Sequence, residues 1–182
     1  MKVCVFFGTG YEEIEALTVV DLLRRQGIDT EMVSITGEET VTGSHNIKVS
    51  MDSLLEDIDF SKVDMIVLPG GGEGTKNLEA CKPLMEQVDA FAREGKALGA
   101  ICAAPSILGH RGILNGKKAI AYPGFEGQLE GAAVTYEPAV RDGNIITGRG
   151  MGCSIDFGLA IIEYLADSRA SAAMAEKIVY KQ

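Results

Sequence analysis

Short apolar runs and longer amphipathic stretches alternate along this chain. Residues 2–7 (Lys-Val-Cys-Val-Phe-Phe) are apolar with little alternation, the pattern of a strand buried on both faces. Residues 12–26 then place apolar side chains at helical spacing, with an acidic first turn (Glu12, Glu13, Glu15), a basic last turn (Arg24, Arg25) and a stop at Gly27. Residues 28–35 and 63–68 read as further strands, and residues 83–93 as a helix with Leu84, Val88 and Phe91 on one face. Between them, residues 40–42 and 46–49 predict a small hairpin around Gly43-Ser44-His45, and residues 54–60 a short helix or loop. Residues 97–101 predict a buried strand and residues 103–108 a helix. Beyond these come short strands near 119–121, 134–135, 139–141 and 144–147, the last two joined by Asp142-Gly143. Helices close the chain at 154–165 and 169–179. This alternation predicts an α/β fold: a mostly parallel sheet sandwiched between helices, in a single domain spanning residues 1–182.

Composition narrows the class. The 182 residues are 46% hydrophobic and 24% charged, which suits one globular domain with a sizeable core. The net charge of −9 argues against nucleic acid and anionic membrane surfaces as partners. The N-terminal apolar run is too short for a secretory signal and no stretch approaches a membrane span, so a cytoplasmic location is expected. The four cysteines, at 4, 81, 102 and 153, have no C-x-x-C spacing and are expected as reduced thiols. His45 and His110 form no ligand motif, so no metal site is expected.

The candidate chemistry centres on residues 98–106, Leu-Gly-Ala-Ile-Cys-Ala-Ala-Pro-Ser. A buried strand ends abruptly at Cys102 and a helix follows at once. A nucleophile at the tip of such an elbow needs small neighbours two residues to either side, here Ala100 and Ala104. A thiol there meets unpaired N–H groups and a helix dipole that favour the thiolate. The plainer reading is a small buried hydrophobe. Glu15 shares a helical stripe with Val19 and Leu22, so its carboxyl faces inward and is a candidate for a perturbed pKa. Gly70 and Gly71 follow a strand; they could cradle phosphate, offer N–H groups to an oxyanion, or simply make a turn. These three features lie beyond the carboxyl ends of strands, where ligands bind in such sheets. Cys153 also stands near a helix start but lacks an elbow and a carboxylate partner.

The segments Glu12-Glu13-Ile14-Glu15, Val67-Leu68-Pro69-Gly70-Gly71, Ala100-Ile101-Cys102-Ala103-Ala104-Pro105 and Thr147-Gly148-Arg149-Gly150, continuing into Asp156-Phe157-Gly158-Leu159-Ala160-Ile161, together resemble the ThiJ/PfpI superfamily. The likeness is greatest to the branch of the parkinsonism-associated deglycase and its bacterial relatives. The resemblance implies a flavodoxin or class I glutamine amidotransferase-like fold and a cytoplasmic homodimer without a required cofactor. It implies Cys102 as reactive thiolate, Glu15 as its protonated partner, and Gly70, Gly71 and Ala103 as backbone donors to an oxyanion. It implies glyoxalase or deglycase chemistry on small dicarbonyls or their glycated adducts. Alternatives are oxidative-stress sensing and chaperone action through Cys102 oxidation. The superfamily's peptidases and amidotransferases fit worse, since Ala103 rather than histidine follows the cysteine. Two positions depart from the branch. Tyr122-Pro123 stands where a His-Pro pair is usual, and His45 stands where an anion-binding arginine is usual, which moves attention to Arg25. A phenol titrating near ~10 is a poor base at neutral pH.

Overall fold

A computed structural model describes residues 1–181. In chain order the elements are β1 (Lys2–Phe7), α1 (Glu13–Arg25), β2 (Asp29–Ser34), β3 (Thr40–Thr42), β4 (Lys48–Ser50), β5 (Ser53–Leu54), β6 (Met65–Leu68), α2 (Gly72–Ala80), α3 (Lys82–Glu94), β7 (Ala97–Ile101), α4 (Pro105–His110), β8 (Lys118–Ala119), β9 (Ala133–Val134), β10 (Ala139–Asp142), β11 (Ile145–Gly148), α5 (Ser154–Leu165) and α6 (Ser168–Lys177). A seven-stranded sheet has the order β10-β11-β7-β6-β1-β2-β5. Every pairing in it is parallel except β10 with β11.

The pleat divides the central strands between two cores. Val3, Val5 and Phe7 of β1 point to one side, with Met65, Val67, Ala97, Ile101 and Ile146, and are covered by α1, α5 and α6 through residues such as Val19, Leu23, Phe157 and Ile161. Cys4 and Phe6 point to the other side, with Ile66, Leu68, Leu98 and Ala100, under α3 and α4 through Leu84, Val88, Phe91 and Ile107. Burial on both faces explains the unbroken apolar runs of β1, β6 and β7. Each fully buried leucine or phenylalanine contributes about 1.5–3 kcal/mol relative to exposure. No helix of the described residues is long and apolar enough to cross a membrane.

Three differences from the pattern-based reading have local causes. Residues 72–80 form helix α2, although their glycines read as a turn. Gly74 is required there because a Cβ would come 2.6 Å from Tyr11 Cα, so packing against the β1–α1 connection overrides helix propensity. Residues 53–54 make a short edge strand, so the short helix expected over 54–60 is confined to the turn Leu55–Asp57. The strand near 119–121 shrinks to Lys118–Ala119, because its continuation bonds elsewhere: the Ile120 N–H donates to Thr147 Oγ1 (3.0 Å) and the Tyr122 N–H to Cys102 O (2.8 Å).

Strands β7, β6 and β1 are neighbours in the sheet. Their carboxyl ends therefore deliver Cys102, the Pro69-Gly70-Gly71 turn and the start of α1 to one place.

Candidate active site

Cys102 follows β7 directly. Its N–H donates to Gly148 O (2.9 Å), continuing the β7–β11 ladder by one step, and its carbonyl accepts from the Tyr122 N–H (2.8 Å). Its φ of 64° lies in the left-handed region, where a residue with a Cβ pays about 1–2 kcal/mol. The sharp turn leaves the thiol half-buried rather than sealed in the core. The helix beyond it is shorter than the sequence pattern suggests: α4 has six residues and starts at Pro105, with Ala103 and Ala104 in the turn.

Glu15 lies in the first turn of α1 and is 1% exposed. Its Oε2 accepts from the Gly70 N–H at 2.9 Å, while Oε1 is buried without a hydrogen-bond partner. Burial pushes its pKa up to about 7; hydrogen bonding to the Cys102 thiol and the Gly70 N–H pulls the other way without cancelling this. Gly70 has no room for a side chain: a Cβ would lie 2.5 Å from Glu15 Oε2 and 2.6 Å from Cys102 Cβ. At Gly71 the φ is 92° and a Cβ would lie 2.4 Å from Gly10 O.

The expected acidification of Cys102 is not what its surroundings produce while Glu15 is ionised. Burial, then the Glu15 charge and hydrogen bond, push the thiol up to about 12, against the N–H groups of Gly71 and Ala103. Two of those three causes depend on Glu15 carrying a negative charge. Gly70 also differs from expectation, because its N–H is committed to Glu15 rather than free for an oxyanion. Gly71 and Ala103 are the backbone donors that reach Cys102.

The flanking candidates separate. Tyr122 adjoins the site through its backbone bond to Cys102 and is 50% exposed. Arg25 does not adjoin it. It stands ten residues beyond Glu15 on α1, about 15 Å along the helix, where it pairs with Asp21. His45 tops the β3–β4 hairpin with its side chain 68% exposed, and it is tied to the helix start instead of facing the thiol freely. Its N–H donates to Glu13 Oε1 (2.7 Å) and its Nδ1 lies 3.0 Å from Glu13 Oε2, which also accepts from Ser44 Oγ (3.0 Å). Burial works against the Glu13 charge, but these His45 and Ser44 donors hold its pKa down to about 2. The His45 pKa is raised in return.

Sequence reading missed this clasp, having assigned Glu12 and Glu13 only to the helix dipole. Three carboxylates within one turn exceed what a dipole calls for, and that surplus was the available signal. The donor atoms of Glu12, Glu13 and His45 lie within 4.8 Å of one another, a grouping that spacing along the chain did not foretell. All four cysteines are free thiols; burial pushes Cys4 up to about 12, and burial and Asp156 raise Cys153.

Residues 1–164 match the DJ-1/PfpI family. The chain is 37% identical to "Protein DJ-1 homolog B" of Arabidopsis thaliana over 182 residues, covering 99% of this chain but 42% of that protein. It is 31% identical to the "Glutathione-independent glyoxalase DJ-1" of Schizosaccharomyces pombe, covering 91% of this chain and 92% of the relative. Among solved structures, oxidized Toxoplasma gondii DJ-1 superposes with a TM-score of 0.95 at 31% identity, covering 100% of this chain and 99% of the other. Drosophila melanogaster DJ-1beta gives 0.93, also at 31%, over 100% and 98%. The chain therefore belongs to the DJ-1/PfpI family.

Proposed function

We propose that this protein converts small α-oxoaldehydes, or the adducts they form, by thiol chemistry at Cys102 with Glu15 as proton carrier. The observation that carries this is the buried Glu15 carboxyl, held by Gly70 beside a half-exposed thiol on a strained turn. The glyoxalase name of the fission-yeast relative supports the same substrate class.

The pair acts as one unit. A proton residing on Glu15 removes the negative charge that raises the thiol, leaving burial to oppose the Gly71 and Ala103 N–H groups that favour the thiolate. The orphaned Oε1 is the oxygen free to carry that proton. Sulfur then adds to the aldehyde carbon of methylglyoxal, and the carbonyl oxygen takes the Glu15 proton, giving a hemithioacetal and a carboxylate. That carboxylate removes the proton from C1 and returns it to C2, while the hydroxyl proton passes from the C1 oxygen to the C2 oxygen. Water cleaves the resulting lactoyl thioester, releasing lactate and restoring the one-proton pair.

The test is lactate formation from methylglyoxal by the wild type, Cys102→Ser, Cys102→Ala and Glu15→Gln. Saturable lactate formation lost in all three variants supports the assignment. Full activity in Glu15→Gln removes Glu15 as the proton carrier, and aldehyde loss without lactate reduces the chemistry to trapping.

A second reading is an oxidation-sensing thiol, favoured by one observation: a relative of nearly superposable fold is solved in an oxidized state. It requires Cys102 to pass to sulfenate and sulfinate under peroxide without aldehyde turnover.

A further inference from the structure

The charges that gather at the mouth of this site are predominantly of one sign. Glu15 acts on Cys102, and Glu12 acts in turn on Glu15. Glu12 abuts the glycine turn: its N–H donates to Gly70 O (3.0 Å), and a Cβ on Gly71 would come 2.8 Å from Glu12 N. Its side chain reaches the hairpin tip, where Oε2 accepts from Ser44 Oγ at 3.1 Å, and Glu13 Oε2 accepts from the same hydroxyl at 3.0 Å. Two carboxylates thus converge on one hydroxyl at the rim. The cation facing them is His45, 3.0 Å from Glu13 and 3.7 Å from Glu12. One imidazolium against two carboxylates leaves the rim negative at any protonation state of the ring. Arg25 pairs with Asp21 well along α1 from the site, and the Arg149 charge acts on Cys153.

We infer that this acidic rim selects substrates by charge: the site takes uncharged α-oxoaldehydes and discriminates against anionic ones, with Glu12 as the specificity-determining residue. The substrate statement rests on the aldehyde-converting reading above; the electrostatic statement concerns access to Cys102 and stands apart from turnover. A carboxylate of substrate held ~7 Å from one on the protein is disfavoured about threefold at the dielectric of bulk water, and more in a drier mouth.

Two measurements separate the layers. The first compares 4,5-dioxopentanoate with its methyl ester, a pair differing in charge, by formation of 2-hydroxyglutarate or its monoester. The wild type is expected to favour the ester in kcat/KM, and Glu12→Gln to narrow the ratio at least about threefold. The second follows alkylation of Cys102, resolved by peptide mass spectrometry, with iodoacetamide against iodoacetate, each rate normalised to free cysteine. Wild-type Cys102 is expected to prefer the amide beyond free cysteine's preference, the excess shrinking in Glu12→Gln and, in the wild type, at high ionic strength. Ratios equal to those of free cysteine, or unmoved by both Glu12→Gln and salt, overturn the inference. Failure of methylglyoxal to give lactate, with the alkylation ratios as expected, overturns the aldehyde-converting reading and leaves the charge selectivity standing.

Discussion

Replacing Glu15 with glutamine tests the electrostatic description of the site without any assay of function. Glutamine nearly matches the shape of glutamate, can still accept from the Gly70 N–H, and cannot ionise. In the unfolded chain Glu15 ionises at its ordinary value of 4.5; in the fold, burial moves this to about 7. A carboxyl whose folded value is raised supports folding fully below the lower of those values, and that support is lost as pH rises through the upper one. The difference amounts to about 3 kcal/mol once both states are ionised. The excess stability of Glu15→Gln over the wild type should therefore grow by about 3 kcal/mol between about pH 4.5 and pH 8, most of it before pH 7. Urea denaturation followed by circular dichroism reads this directly. With a slope of about 2 kcal/mol per molar urea, the midpoints should separate by about 1.5 M more at the alkaline end than at the acid end. Titrating groups other than Cys102 are common to both proteins and drop out of the difference. Above pH 8 the variant's thiol, no longer facing a carboxylate, extends the trend in the same direction. A difference that stays flat with pH would refute the burial argument, and with it the idea that Glu15 holds a proton near neutrality.

Gly70→Ala forces a methyl against Glu15 Oε2 and Cys102 Cβ and should cost about 1–3 kcal/mol in urea denaturation, together with loss of Cys102-dependent activity. Glu13→Ala removes three acceptor contacts from the hairpin tip and should lower stability by about 2 kcal/mol, with faster amide hydrogen exchange at residues 43–47 and little change in the β1–β6 ladder. Tyr122→His keeps the backbone bond to Cys102 O and brings a near-neutral base to the residue that makes it; it should raise kcat for lactate formation from methylglyoxal about tenfold, and an unchanged kcat would show that Tyr122 does not limit turnover.

Much of this architecture is written in local pattern. Strands β1, β6 and β7 are legible because burial on both faces demands continuous apolar runs, and α1 and α3 because their charged and apolar faces segregate. Cys102 is legible because crowding at a strand-to-helix elbow excludes large neighbours, and Glu15 because a carboxylate stands on an apolar stripe. What was illegible depends on distant chain. Helix α2 hides behind glycines, of which Gly74 is set by contact with Tyr11 rather than by helix propensity. The Glu13–His45 clasp joins residues more than thirty apart, and no periodicity reports such a pairing. The raised thiol pKa is likewise a property of Glu15 and burial together, whereas the elbow alone suggests acidification. Arg25 drew attention by charge, and only helix rise shows how far it stands from the thiol.

The backbone at Cys102 is gripped at both ends, its N–H by Gly148 and its carbonyl by Tyr122, in a conformation that glycine would adopt freely. The mount is thus independent of the atom it presents. Serine, alanine or aspartate at this position would be displayed at the same point in space, so their effects can be read as changes of chemistry rather than of shape. Cys102→Gly would relieve the turn and remove the thiol in one step, so the loss of thiol chemistry and a fold that is harder to unfold should arrive together.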